Sequence, residues 1–518
     1  MAKNIELEIK DFSKGLNLDD AENVCDLSYN VSCYNFDFKS GALVEGIGVE
    51  RLTFPETREY GCSEVPLRDI GTNVECKEVW HFKHYAKEMK KREDKLMYRL
   101  SNNTVYNTDL ITTLPIPLIV PELYLHSEVF AINFKDGDMD TVLMCTDQDG
   151  CFSYCAEKVF QKESEMPYIK DMCFHKDKVF VLECFDKNKI RYSSNTNILE
   201  MKTDLSTNEG KIVLTDSVGD IQSIISQFGH LFAIRDYGIT KITTYENSDN
   251  FNISNLYASG TKIYSKTVCS CGDMVIMLTR NGLYEFNANR CDKIDTKLND
   301  FLNKITNDKA IACFRAGNYY ISCRIDFNDG KKIGCENEDS YVNNVFICYN
   351  VNDKTYSICR GVDITNLLSL QIESCDKVIA SFGSKYKEIL GQVCDSGRFF
   401  NEQNERYWCS PLSDLGYSDK TKFVKYLSLY SKYDCNVTVF TEKTSKTFDV
   451  KGKSVLTKLP INLRGKQIGI KITTYENKAY ISNLKLSIDL TDIATCYKKW
   501  IMGSLVFGIA NICIKGLK

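Results

Sequence analysis

The chain has 518 residues, 43% of them apolar and 26% charged, and Asp plus Glu exceed Lys plus Arg by 69 to 65, a formal charge of -4. These totals exclude a disordered chain and a small scaffold, and leave room for two or three domains with real cores. They also offer no basic face that would grip phosphates, although transient passage of DNA stays open.

The 23 cysteines are an odd number in a long chain, and MAKNIELEIKDF holds no apolar run of signal-peptide type. A reducing compartment is therefore expected. Cys313, Cys323, Cys348 and Cys359 each stand where a strand would place a small hydrophobe, which is their simplest use. With 29 Tyr and 27 Phe against 8 Pro and 3 Trp, short aromatic and β-branched runs favour strands over helices.

In chain order, KEVWHFKHY (77–85) and KLMYRL (95–100) flank KEMKKRED, read as a solvated hairpin tip. HSEVFAINF, TVLMCT and GCFSYC follow between 126 and 155, then CFHKDKVFVLEC (173–184), KIRYSS and GKIVLT. QFGHLFAIRDYGITKI (227–242) and SCGDMVIMLTRNGLYEF (270–286) align as one unit about forty residues apart: strand, Gly-containing turn, strand. Further strands run to about residue 400. A period near forty with almost no helix predicts a β-propeller of about six or seven blades. One helix is expected in DKIDTKLNDFLNKI (292–305), where Ile294, Leu298, Phe301 and Ile305 form a stripe at helical spacing behind Asp292 or Asp295.

From about 420 the alternating runs lengthen and predict a small β-sandwich. KITTYEN occurs at 241–247 and again at 471–477, each copy followed by ISNL, at 253–256 and 481–484. The alternation predicts a half-buried strand and its hairpin return, used twice. The organisation expected is thus an N-terminal strand-rich segment (1–60) closing onto the propeller or a platform, the propeller (61–410), the sandwich (411–492) and an apolar C-terminal arm (493–518). The arm holds 15 residues between Lys499 and Lys515, short of the roughly 20 a membrane span needs. It reads as a docking arm, and no stable membrane association is expected.

No catalytic constellation emerges. His81, His84, His126, His175 and His230 lie apart from any matching cysteine pair, and HExxH, CxxC, GxSxG, P-loop and Rossmann patterns are missing. Cys269 with Cys271, and Cys151 with Cys155, have no second half at zinc-ribbon spacing. FKDGDMDT, with Asp136, Asp138 and Asp140, has the alternating oxygens of a calcium loop, but Asp147 stands where the twelfth-position Glu would be. A solvated hairpin tip is the better reading. No catalytic residue, cofactor or metal is expected.

Residues 10–52 contain Phe12-Ser-Lys-Gly-Leu-Asn17, then Asn35-Phe36-Asp37, then Gly41-Ala-Leu-Val-Glu-Gly-Ile-Gly48. This order resembles the opening of head-to-tail connecting and tail hub, or nozzle, proteins of short-tailed bacteriophages, with Glu45 in place of the turn's usual arginine. KIRYSSNTNILE (189–200), GDIQSIISQFGHLFAIRDYGITKI (219–242) and MLTRNGLYEFNANRCDKID (277–295) are similar to later phrases of that family. Arg464-Gly465-Lys466 stands at the place of its closing R-G-K/R phrase. The resemblance implies a non-enzymatic virion protein made in the host bacterial cytoplasm. About six sister copies would form a ring below the portal, touching portal or adaptor proteins and other tail proteins, with double-stranded DNA passing through on genome ejection. The alternative is a propeller-based binding module of carbohydrate-binding or adhesin-like kind, suggested by the many loop Tyr and Asn residues.

Overall fold

The computed structural model describes residues 3–18, 25–52, 75–86, 91–101, 104–108, 116–118, 128–136, 139–155, 160–163, 166–194, 199–201, 210–245, 250–327, 338–372, 375–387, 390–400, 402 and 404–492. It gives backbone alone at 83–86, 91–94, 116–117, 136, 371–372, 375–376, 385 and 492. Two compact units result: 1–48, 357–359 and 395–518 form one, and 49–356 with 360–394 the other.

The larger unit is a β-propeller of seven four-stranded antiparallel sheets among the described residues. Blade 1 runs from Cys76–Ala86 to Ile116–Leu118, blade 2 from Val129–Asp136 to Gln161–Glu163 and blade 3 from Ile169–His175 to Lys211–Val213. Blade 4 consists of Ile221–Gln227, His230–Arg235, Gly238–Thr244 and Phe251–Ala258. Blade 5 runs from Cys269–Ser270 to Cys291–Lys293, and blade 6 from Ile311–Arg315 to Tyr356–Arg360. Blade 7 comprises Ile364–Ile372, Cys375–Phe382 and Leu390–Cys394, and takes its fourth strand, Gly48–Arg51, from far upstream. The two phrases aligned by eye in the sequence are blades 4 and 5, and their turns hold Gly229 and Gly282 at positive φ, 72° and 109°.

Successive blades share apolar cores. Phe82, Met97, Met144 and Phe152 join blades 1 and 2, and Phe180, Tyr192, Ile224 and Ala233 join 3 and 4. Tyr98 and Leu100 meet Leu370, Ile379 and Leu390, joining blade 7 back to blade 1. The ring is therefore closed by packing as well as by the borrowed strand.

At six of the seven seams the first strands of adjacent blades are neighbours, and each first strand is paired with a sheet partner on one side only among the described residues. Its other side would leave backbone groups unpaired. Side chains from a neighbouring blade meet some of them. Asn133 Nδ2 donates to the His81 carbonyl at 2.8 Å, Asn366 Nδ2 to the Lys77 carbonyl at 2.8 Å, and the Ile224 N–H donates to Asp171 Oδ2 at 2.8 Å.

The helix expected over 292–305 is confined to Leu298–Leu302, preceded by a strand at Cys291–Lys293. All four stripe residues are nonetheless buried. Within the short helix the Asn299 side chain ties it to the blade: Oδ1 accepts the Leu283 N–H at 2.8 Å and Nδ2 donates to the Ile294 carbonyl at 2.8 Å.

The smaller unit is a β-sandwich made from both ends of the chain. One sheet has six strands, including Lys3–Ile9, Phe36–Lys39 and Ala42–Glu45; the other has five, including Ser32–Tyr34 and Arg406–Cys409. The segment 1–60 is thus divided, its strands at 3–45 going to the sandwich and 48–51 to blade 7. The opening phrase is structural. Phe12 is buried edge-on against Trp408 with ring centroids 5.0 Å apart, Asn35 adopts φ 62° and donates to the Glu405 carbonyl, and Gly41 turns at φ 76°.

The second KITTYEN does not make the expected hairpin. Ile468–Thr474 lies in the five-stranded sheet and Tyr480–Asp492 in the six-stranded one, whereas the first copy does, with Ile242 opposite Ile253. Alternation fixes a strand and the face it buries, but the partner is chosen by the rest of the core.

Lys422 is buried in the sandwich, where its ammonium donates to the carbonyls of Tyr417 and Lys466 at 2.6 Å and of Lys420 at 3.2 Å. Lys422→Met is expected to lower sandwich stability by about 2–3 kcal/mol in urea titrations, because three acceptors lose their donor. In the propeller, Asn366→Ala should cost about 1–2 kcal/mol by the same measurement.

Candidate interaction surface

Three guanidinium groups are buried in the propeller, and each holds a loop or strand. Arg99 makes two bonds of 2.7 Å to the Glu78 carboxylate. Arg360 bonds Glu338 at 3.0 and 3.1 Å and lies 3.8 Å over the Phe327 ring. Arg235 reaches the connector between blades 3 and 4, donating to the Gly219 carbonyl at 2.9 Å and to the Asp216 carboxylate. Paired and hydrogen-bonded, these charges can stay buried.

The seam between blades 3 and 4 is polar. His175 Nδ1 lies 2.7 Å from Ser226 Oγ and Nε2 2.8 Å from Thr244 Oγ1. Burial, with Lys176 and His230 nearby, pushes the imidazole down to about 4. Burial pushes the Asp171 carboxyl up to about 7, against the opposing pull of the Ile224 and Met172 N–H groups. The two groups act on stability with opposite signs. Neutral His175 contributes stability above its ordinary 6.5 that is lost as the pH falls to about 4. Protonated Asp171 contributes stability below its ordinary 3.8 that is lost as the pH rises through about 7. Between these limits the slopes offset one another. Asp171→Asn should therefore lose about 1–3 kcal/mol more than the parent chain on acidification from neutral pH to about 4.5, and His175→Gln should lose less, both by urea titration across pH.

The residues singled out in the sequence are dispersed. Among the histidines, His175 and His230 flank the blade 3–4 seam, His230 Nδ1 lying 3.2 Å from Thr243 Oγ1. His81 is half-buried in blade 1, while the His84 side chain and all of His126 lie outside the described residues. Cys151 faces Cys145 across a strand pair, Sγ to Sγ 2.7 Å, and not Cys155. The side chain of Asp136, Asp138, the tip of KEMKKRED and the arm at 493–518 also lie outside the described residues. Among the described residues no three His, Cys, Asp or Glu side chains are placed to hold a metal ion, and no helix is long and apolar enough to cross a membrane.

A surface not evident from the sequence stands at one end of blades 3 and 4. Loops that follow a blade's second strand and connectors that enter its first leave the sheet at the same end, and here they interlock. Lys187 accepts the Ile221 N–H at 2.9 Å, Tyr237 donates its N–H to Val218 at 3.1 Å, and Tyr237 accepts the Ser259 N–H. Gly219, at φ 98°, packs so closely that an added Cβ would lie 2.8 Å from Asp236 Cβ. From these loops Phe185 projects 86% exposed, with Tyr168 at 45% edge-on to it and Tyr237 at 46% beside the same connector. The signal available in sequence was a phenyl ring inside the turn residues CFDKN.

No family model matches the chain, and no curated protein matches it. Among solved structures it is similar to YCF48 bound to a D1 peptide, at TM-score 0.38 and 10% identity over 70% of this chain and 97% of that one. YCF48 from Cyanidioschyzon merolae gives 0.38 and 10% over 67% and 98%. Kluyveromyces lactis Hsv2 gives 0.30 and 8% over 55% and 85%.

Proposed function

We propose that this chain is a non-enzymatic binding protein whose propeller is a rigid platform for protein partners, with binding energy concentrated at the aromatic surface of blades 3 and 4. The observation that carries the reading is Phe185, a phenyl ring 86% exposed and braced by Tyr168 at a centroid distance of 6.3 Å. Covering such a ring is worth about 1.5–3 kcal/mol, and aromatic anchors dominate interface energetics. Because the loop that carries it is held by backbone bonds to Tyr168 and Ile221, and the adjoining connector by Arg235, little ordering has to accompany binding.

A more specific form of this reading is a tail hub or nozzle component of a short-tailed bacteriophage virion. It is supported by the ordered phrases at 10–52, 189–200, 219–242, 277–295 and 464–466. Its partners would be sister copies in a ring, portal or adaptor proteins and other tail proteins, with double-stranded DNA in transit and not held.

The test compares the full chain with the double variant Phe185→Ser, Tyr168→Ser, both surface changes, after confirming equal thermal midpoints. Partners cross-linked to the parent chain should be lost from the variant, and equal recovery from both would overturn the proposed surface. Negative-stain images of the same preparation should contain closed rings if the tail reading holds; monomers alone would remove it. Glycan-array binding that depends on Tyr168 would replace protein partners with sugars.

A further inference from the structure

The outer strands of the seven blades are not alike. Six of them have three to five residues; IPL, QKE, KIV, CDK and GVER each carry a proline or a charge, and YSICR is buried from Ser357 to Arg360. These are the usual means by which an unpaired sheet edge is kept from accepting another strand. The outer strand of blade 4, Phe251–Ala258, has eight residues, FNISNLYA, with neither charge nor proline. It pairs with Gly238–Thr244 in regular register from Phe251 to Asn255, after which a bulge at Leu256 breaks the ladder. Among the described residues it has no second strand partner. Asn252, Ile253, Ser254 and Asn255 are all exposed, Ile253 at 43%, and Asn255 holds the strand to the Asp216 carboxylate at 2.7 Å.

The same tetrapeptide shows what such a strand accepts. The other ISNL, at 481–484, is paired on both sides: Ile481 opposite Leu43 and Ser431, Ser482 opposite Tyr430, and Leu484 opposite Ile9. In blade 4 one of those two sides has no strand partner among the described residues.

We infer that the Phe251–Asn255 edge is a second binding surface, which accepts an extended, uncharged peptide segment as a fifth antiparallel or parallel strand of blade 4. Main-chain bonds would supply the affinity, and alternate side chains the selectivity: an apolar residue beside Ile253, and hydroxyl or amide residues beside Asn252 and Ser254. A second copy of the chain is the poorer occupant. Eight residues pairing edge to edge span about 27 Å and bury on the order of 500 Å² in all, well below the roughly 1,200 Å² of a stable association between folded proteins. A neutral strand likewise repels charged segments through desolvation and does not attract them.

The probe is a synthetic peptide, acetylated and amidated at its ends, with the uncharged sequence YLSLYS, that of residues 426–431, which includes the residues facing the other ISNL. It is titrated into the full-length chain by fluorescence anisotropy, with hydrogen exchange followed at saturation. Binding should slow exchange at residues 251–255, and Ile253→Lys should weaken it by at least about tenfold. Val213→Lys, placed at a 47% exposed position on the short outer strand of blade 3, should leave it within about twofold. Unchanged exchange at 251–255, or equal affinity in Ile253→Lys, would overturn the inference. Neither result bears on Phe185, so failure here and failure of the aromatic surface are separable.

Discussion

A strand at the hub of a ring has a sheet partner on one side only, and the propeller depends on what its other side meets. Apolar packing between blades is non-directional and would tolerate one blade sliding along the next. The side-chain bonds at the hub do not. Asn133 to His81, Asn366 to Lys77 and Asp171 to Ile224 each name one backbone atom on the neighbouring blade. They satisfy groups that would otherwise be orphaned, and they fix the register in which the cores interlock. Blades 3 and 4 carry this furthest, adding His175 to Ser226 and Thr244 and Lys170 to Gln222.

This division of labour explains what was legible in the sequence. Blades 4 and 5 could be read because their hairpins are local: Gly229 and Gly282 mark turns, and the strands beside them alternate or run apolar. Blade 7 could not be completed, because its last strand is supplied by residues 48–51, more than three hundred positions before its first three. Segment boundaries suffered for the same reason. Arg406–Cys409, read with the propeller, pairs with Ser32–Tyr34 in the sandwich, and no local pattern announces a partner at that separation. The second KITTYEN states the limit most plainly. Its strand and burial were readable, but at 478–480 the chain crosses to the other sheet because Ala479 and Ile481 fill the core between the layers.

The candidate surfaces were less legible than the fold, again for physical reasons. Arg235 in LFAIRDYG looks like an exposed strand end, and only the connector at 216–219 turns it into a buried clamp. Phe185 would be assigned to the core by composition, yet it stands at the tip of a loop whose backbone bonds are already satisfied by neighbours. Buried charge and exposed phenyl belong together here. A loop can hold an apolar side chain in water only if something else fixes its shape: here the loop bonds Tyr168, Ile221 and Leu214 through its backbone, and the guanidinium fixes the neighbouring connector at 216–219.

The sheet edges follow a related logic. Seven blades expose seven outer strands, and every such strand left long, flat and neutral is an open invitation to pairing. Six are shortened or charged, which is what a chain must do merely to remain unassociated. The seventh is different: its ends serve the cores, Phe251 packing on Tyr192 and Leu256 with Tyr257 packing on the cluster shared with blade 5, while its middle, residues 252–255, is exposed and uncharged. The sandwich holds the same four residues with strands on both flanks. A tetrapeptide that stands in the middle of one sheet stands at the margin of another, with Asn252, Ile253 and Ser254 exposed there. The propeller thus uses the two ends of this strand and the Asn255 side chain, and leaves to solvent the segment whose twin in the sandwich is paired on both sides.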